Sequence, residues 1–444
     1  MSLSNKAIMR YIYIILTSLF FLTVTSCDVD EVLNPNAPTV ESFTSGATLA
    51  DLQLLGQGLE AVIRSDMQFH FWTLNILGRE YYDLRGTDPR YTSELLGQNG
   101  GALDNNGFLT TRTYFGRYRS VRNANLLIEA VENTAASLTP TQSDALIGFA
   151  NTIIGYELLL EATRQFENGI RIDVADVNNL GPFTSGFNES LAAIANILDE
   201  GFSQLSGAQE DLIFNLAGFS TIPGSDTEAL AQFNRAVAAR VQLYLGNNAG
   251  ALSALNSSFM DLGGDLDVGA YYQFGGATGN DLPNPLFYVP GVDNYLAHMT
   301  WVQDAEEGDG RLNKVTDVGM TITLDGLSSP YMVSIYPSNS SPASMIRNEE
   351  LILIYAESQI GSNNAEAVRA INIIRNAAGL PDYSGATDAN ALIDQVLQER
   401  RYSLFGEGHR WIDLRRFNRL DEIPLDREGD TVHTQFPRPA SEEG

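Results

Sequence analysis

The sequence predicts a mainly α protein interrupted by one loop-rich segment, and three observations carry that prediction. From Asn151 to Phe166, Ile154, Leu158, Ala162 and Phe166 recur at steps of four, one apolar stripe along a helix. Phe233, Val237, Arg240, Val241, Tyr244 and Leu245 form a second stripe, which stops at Gly246-Asn247-Asn248. Between Leu266 and Ala343 the helical period disappears, and fifteen glycines or prolines are scattered among aromatic residues.

At the N-terminus, Lys6 and Arg10 precede an apolar run from Tyr11 to Val24, broken only by Thr17, Ser18 and Thr23. No acidic residue occurs in the first 26 positions. A charged start, an apolar middle and small residues at a cut make a secretory signal. Val24-Thr25-Ser26-Cys27 fits the lipobox of bacterial lipoproteins, which makes Cys27, the sole cysteine, the expected lipid attachment point. The competing readings are an ordinary signal with an incidental cysteine, or a single transmembrane anchor. The run is too short and punctuated for a comfortable span, which needs about 20 apolar residues. Asp28, Asp30 and Glu31 follow at once and resemble the surface-export signal of Bacteroidetes lipoproteins. An acidic, proline-containing linker is the plainer reading of the same residues.

Residues 1–26 are therefore assigned to the signal, 27–42 to a linker and 43–444 to one domain. Removing the signal leaves 418 of 444 residues and, without Lys6 and Arg10, moves the charge from −28 to −30. That field argues against nucleic acid and anionic lipid as partners. An apolar share of 44% allows a large core. With no cysteine after Cys27 and with His70, His298, His409 and His433 far apart in sequence, nothing suggests a zinc site. Asp261-Leu262-Gly263-Gly264-Asp265-Leu266-Asp267 lacks the closing glutamate of a calcium loop and is read as an acidic turn. No cofactor is expected; a structural calcium ion stays open without being predicted.

Within the domain, residues 43–262 read as mostly helical. After the Gly246 turn, Ala251, Leu252, Leu255 and Phe259 start a new stripe, so two helices form a hairpin of the tetratricopeptide kind. Residues 263–345 form the loop-rich segment; long loops in compact proteins often carry binding function. In residues 346–444, Leu351, Ile354 and Tyr355 precede a Gly361-Ser362-Asn363-Asn364 turn, and Val368, Ile371 and Ile374 follow it, a second hairpin.

The C-terminal third carries long motifs. Ile346 to Ser358 (IRNEELILIYAES) is followed by Ala370 to Leu380 (AINIIRNAAGL), Gln398 to Arg401 (QERR) and Phe405 to Arg416 (FGEGHRWIDLRR). Upstream stand Gly78-Arg79-Glu80-Tyr81-Tyr82, Thr87-Asp88-Pro89-Arg90, Arg122-Asn123-Ala124-Asn125 and Gly308-Asp309-Gly310-Arg311, and Phe436-Pro437-Arg438-Pro439 closes the chain. Together these closely resemble the SusD/RagB family of outer-membrane nutrient-binding lipoproteins. The resemblance implies a SusD-like fold with tetratricopeptide-like hairpins. It also implies a non-catalytic cell-surface protein that captures oligosaccharides, or in some branches peptides. The implied partner is a SusC-like TonB-dependent transporter, and the implied location is the outer membrane, lipid-anchored and facing outward. A lipid-anchored helical scaffold and a glycoside hydrolase are the alternatives.

Read as chemistry, Glu399, Arg400, Glu407, Arg410, Asp413 and Arg415 are opposite charges along consecutive helical segments, a partly buried ion-pair network. Neighbouring arginines are expected to depress these carboxyls and spoil a general acid. Gly406 and Gly408 permit the turn between the segments. Sugar capture needs aromatic faces with planar hydrogen-bonding groups around them. The candidates are Trp301, Tyr288 and Tyr295 in the loop-rich segment and Tyr81 and Tyr82 upstream, with Arg85, Asp88 and Arg90 as polar partners. Asn284 and Asn294 are weaker candidates. Trp72, beside Phe69 and Phe71, is read as packing, and at most one of Tyr271 and Tyr272 should face outward.

Overall fold

The computed structural model describes residues 40–208, 211–275, 282–289 and 291–442. The signal at 1–26, the proposed lipid site Cys27 and the linker to residue 39 lie outside the described residues. The chain divides into residues 1–43 and a compact unit, 44–444. A short helix, α1 (Val40–Thr44), is the first described element.

In the compact unit, α2 (Leu49–Val62), α3 (Met67–Leu77), α4 (Phe108–Glu132), α5 (Pro140–Gln165), α6 (Phe187–Gly207), α7 (Asp226–Tyr244) and α8 (Asn248–Leu255) follow in order. From α4 onward each packs on its neighbour in sequence. Their starts are written locally. Thr48, Thr139 and Ser225 each accept from the backbone three residues on, and Asp51, Gln142 and Glu228 bond back to the cap, closing three capping boxes. Asn247 caps α8, so the break after α7 that ends the second stripe also starts the next helix. α5 is apolar enough to cross a membrane by composition, but 89% of its most apolar window is buried. Gly148 and Gly155 let α6 approach it closely: a Cβ there would stand 2.8 Å from Leu205 and 2.5 Å from Leu198.

The loop-rich segment departs from the expectation of irregular chain. Strands β1 (Tyr81–Asp83), β3 (Tyr295–Ala297), β5 (Leu327–Val333) and β4 (Val315–Leu324) form an antiparallel sheet in that spatial order. β2 (Gly269–Tyr272) pairs with β6 (Ala343–Arg347). Between them lie α9 (Met299–Gln303) and a 3₁₀ turn, Gly310–Lys314. β1, β2 and β3, of three or four residues, leave no readable alternation, whereas β4 and β5 are ten and seven residues long and are masked by glycine and proline content alone. Asp83 stands opposite Tyr295 and Leu296 opposite Met332, so the sheet fastens the 81–83 segment to the loop-rich segment.

The second hairpin forms as expected from α10 (Asn348–Gln359) and α11 (Asn364–Ala377), followed by α12 (Ala389–Ser403) and α13 (Arg410–Arg416). Ile352, Leu353, Ile371, Ile374, Leu392, Val396 and Leu404 build a second core, separate from the large one beneath the other helices. The turn into α13 puts Gly406 and Gly408 at φ of 82° and 78°, where a side chain would be strained.

The expected ion-pair network is present and buried. Arg311 bonds Glu399 at 2.6 Å and Arg375 does so at 3.0 Å; Arg400 bonds Asp413 at 2.6 Å, and Arg347 bonds Glu407 at 2.6 Å. Arg410 and Arg415 differ: Arg410 donates to the Gly78 carbonyl and has no carboxylate within ion-pair distance among the described residues, and Arg415 donates to the carbonyls of Thr434 and Thr163 and lies over the rings of Trp411 and Phe166. The expectation that every carboxyl is depressed is corrected in part. Burial raises Asp413, but Arg400 and Arg416 outweigh it and hold the group below the usual range. At Glu407 burial wins over Arg347 and Lys314, and the carboxyl is raised.

Candidate functional site

The candidate site is assembled on the edge where β1 leaves the sheet. Two short motifs, Asp83-Leu84-Arg85 and Asp88-Pro89-Arg90, fold identically. Asp83 accepts from the backbone N–H of Arg85 at 3.1 Å, from its Nε at 2.9 Å and from its Nη2 at 2.7 Å. Asp88 takes the same three donors from Arg90 at 2.9, 2.9 and 2.7 Å. Each carboxylate thus satisfies a turn N–H and grips the guanidinium in its bidentate plane. Asp309-Gly310-Arg311 repeats the clip inside the buried network, with Glu399 as an additional partner.

These clips hold the guanidiniums against one aromatic cluster. Arg85 sits 4.4 Å from the Tyr295 ring centre and 5.5 Å from Trp72; Arg90 sits 4.3 Å from Phe108, and Arg112 4.9 Å from Phe69. Beneath them Phe69 meets Trp72 at 5.1 Å and Phe108 at 5.7 Å; Tyr91 meets Phe108 at 5.8 Å. Trp72 stacks on Tyr295 at 5.6 Å, and Tyr295 on Tyr288 at 3.9 Å. The side chains of Arg85, Arg90 and Arg112 are 21%, 41% and 55% exposed, so the accessible layer is planar cations over rings. Among the described residues, Nη1 of Arg85 and of Arg90 has no protein acceptor, leaving donors at the rim. Hydrogen bonding to Asp88 raises Arg90, and the same bond lowers Asp88. Burial opposes charge at Arg85, but the bond to Asp83 overcomes it and the group is raised.

The aromatic candidates occupy other roles than the exposed platform expected of them. Trp301 is fully buried, its ring 4.1 Å from Phe405 and its Nε1 donating to the Arg401 carbonyl. Tyr295 and Tyr288 are buried inside the stack, and the Trp72 Nε1 donates to the Tyr288 hydroxyl at 2.9 Å. Tyr81 is buried and accepts from Asn75. Tyr82, also buried, donates to Asp426, which His298 contacts at 2.7 Å as well. A ring with both faces packed offers none to a sugar, so these five are core residues of the free chain. Arg85, Asp88 and Arg90 do reach the rim together. Asn284 is buried and fixes its own turn, donating to the Ser341 carbonyl and accepting from Leu286 N–H. Trp72 packs as expected, and of Tyr271 and Tyr272 only the first is partly exposed.

Sequence reasoning missed Asp83, Tyr91, Phe108 and Arg112. The repeated Asp-X-Arg spacing was the available signal for Asp83; nothing local marks Arg112, which reaches the cluster from α4. In the acidic turn, Asp261 and Asp265 accept from the N–H groups of Gly263 and Asp267. Among the described residues no group of three or more His, Cys, Asp or Glu side chains stands close enough to hold a metal.

Residues 314–442 match the model of the SusD family. The chain superposes on the crystal structure of a SusD superfamily protein from Bacteroides vulgatus, with a TM-score of 0.67 and 16% identity. That match covers 89% of this chain and 96% of the other. The fold is SusD-like, and residues 314–442 carry the SusD family's sequence pattern. Two further proteins are similar to this chain. Surface glycan-binding protein A from Bacteroides thetaiotaomicron, solved in complex with laminarihexaose, superposes with a TM-score of 0.64 at 12% identity, covering 89% of this chain and 97% of that one. SusD-like protein P38 of Formosa agariphila is 33% identical over 108 residues. That stretch is 22% of this chain and 21% of the relative, so the sequence match spans about a fifth of the relative's length.

Proposed function

We propose that this SusD-like chain is a non-catalytic, lipid-anchored surface protein that binds glycans at the arginine-aromatic rim. The observation that carries the reading is the row of Arg85, Arg90 and Arg112, each over a ring of one cluster at 4.3 to 4.9 Å and each paired with an aspartate. Flat guanidiniums give apolar faces for sugar C–H groups and edge donors for hydroxyls, while the paired aspartates supply acceptors. Because the pairs are locally neutral, the rim suits a neutral oligosaccharide. Laminarihexaose in the similarly folded protein of Bacteroides thetaiotaomicron supports that class. Attachment through Cys27, location on the outer face of the outer membrane and delivery to a SusC-like TonB-dependent transporter complete the proposal.

The test is affinity electrophoresis and calorimetry of the chain against laminarin, other neutral polysaccharides, charged polysaccharides and a peptide digest, with product analysis on each hit. Retardation by a neutral glycan without new reducing ends, weakened by Arg85→Ala and Arg90→Ala, is the expected result. Binding unaffected by both changes would sink the assignment to this rim, and accumulating reducing ends would sink the non-catalytic reading.

A further inference from the structure

On α12 and α13, a cleft of about 230 Å³ that shares no lining residue with the rim is lined by Leu397, Gln398, Arg401, Arg410, Asp413 and Leu414, with Asp304, Asp394, Arg419 and Glu422 at its mouth. Every charged side chain in it but one has an ion-pair partner, with Asp394 and Glu422 sharing Arg419. Arg401 bonds Asp304 at 3.0 Å, Arg419 bonds Asp394 and Glu422, and Asp413 is held by Arg400 and Arg416.

Arg410 is the exception. Its Nε donates to the Gly78 carbonyl at 3.1 Å, and among the described residues Nη1 and Nη2 have no acceptor and no carboxylate within ion-pair distance. Neither terminal nitrogen is among the buried polar atoms left without a partner, so both stay reachable from the cleft. The carboxyl that acts on it most is Glu80, which burial pushes up to about 8 and so leaves largely protonated at neutral pH. Burial, then Arg401, brings Arg410 itself down to about 10, a cation short of its counter-charge. Beside it Gln398 is half-buried, and among the described residues its amide has no partner either.

A part-buried guanidinium with two free donors, next to a free amide, matches a planar carboxylate. We propose that this cleft is a carboxylate-binding site in which Arg410 forms a bidentate pair with the ligand and Gln398 donates beside it. The acids at its mouth each bond an arginine, Asp394 and Glu422 sharing Arg419, so a single carboxylate meets little repulsion there, whereas a run of them meets the −28 field of the chain. Such a carboxylate can come from an acidic sugar or from the end of a peptide.

Calorimetry on the full chain with glucuronate, N-acetylglycine and glucose separates these sources. Both carboxylates bind and compete with one another, and glucose does not bind. A tenfold preference for glucuronate assigns an acidic sugar, the opposite preference assigns a peptide terminus, and parity assigns the carboxylate alone. Gln398→Leu weakens both about tenfold at unchanged melting temperature, and Arg410→Gln weakens them further. Gln398→Glu places a resident carboxylate beside Arg410 and abolishes binding without loss of stability, which keeps the test decisive if Arg410→Gln does not fold. The proposal is overturned if neither carboxylate binds at millimolar concentration, if glucose binds equally, or if Gln398→Leu and Gln398→Glu leave binding intact. Neutral-glycan retardation at the rim is independent of all three variants.

Discussion

The guanidinium of Arg85 rests 4.4 Å from the centre of the Tyr295 ring while Asp83, directly opposite Tyr295 in the sheet, holds its other edge. One strand pair therefore fixes the ring, the cation and the counter-ion at once. Arg85→Ala is expected to weaken glycan retardation severalfold and to cost about 1–2 kcal/mol of stability, the scale of a mostly buried cation-π contact with a bidentate pair. Arg85→Lys is expected to restore stability better than binding, because an ammonium can neither lie flat on the ring nor present the same fork of donors. Urea denaturation beside affinity electrophoresis measures both; full recovery of binding by lysine would refute the planar role.

Trp301 makes the opposite case. Its ring lies fully buried between Tyr402 and Phe405, so Trp301→Ala is expected to destabilise the fold by about 3–5 kcal/mol through cavity formation. Ligand affinity of the molecules that remain folded should not change. Loss of affinity at intact melting temperature would return Trp301 to the binding surface.

Much of the helical architecture was legible because its signals are local: four-residue stripes at 151–166 and 233–245, a Gly-Asn break, and capping residues three positions before their partners. The charged C-terminal network was legible too, since arginines and acids alternating near glycine turns have few other uses. The sheet was not, because β1 and β3 are three residues long and gain their order from each other across more than 200 residues of chain. The same distance explains the aromatic misreading. Tyr288 and Tyr295 look exposed in a glycine- and proline-rich segment, yet that segment folds back on Trp72 and buries them. Arg85, Asp88 and Arg90 were legible because their clips close within two residues, while the rings they lie over come from distant parts of the chain.

Cys27 carries a prediction on the envelope side. If it is the acylated residue, Cys27→Ser should abolish incorporation of labelled palmitate and move the protein from the membrane fraction to the soluble one. Labelling that survives the change would rule out the lipobox reading of residues 24–27.

Glu80 gives the fold a pH dependence with a definite sign. Burial raises its carboxyl from 4.5 to about 8, so between those values the folded chain holds a proton that the unfolded chain has released. Stability from this group is complete below pH 4.5 and is lost as pH rises through 8. Glu157 and Glu161, each raised by burial to about 7, act in the same direction in the parent and in a Glu80→Gln variant, and so cancel in the comparison. Arg410, brought down to about 10, changes its contribution only above the window. Glu80→Gln should therefore show a flatter loss of stability between pH 5 and 8 and equal or exceed the parent at pH 8, read from urea midpoints at each pH. Parallel curves for the two proteins would mean that Glu80 is ionised in the folded state and already compensates Arg410. Such a result would give Arg410 a counter-charge beyond ion-pair distance and lower its affinity for glucuronate, while its two terminal donors would stay free in the cleft.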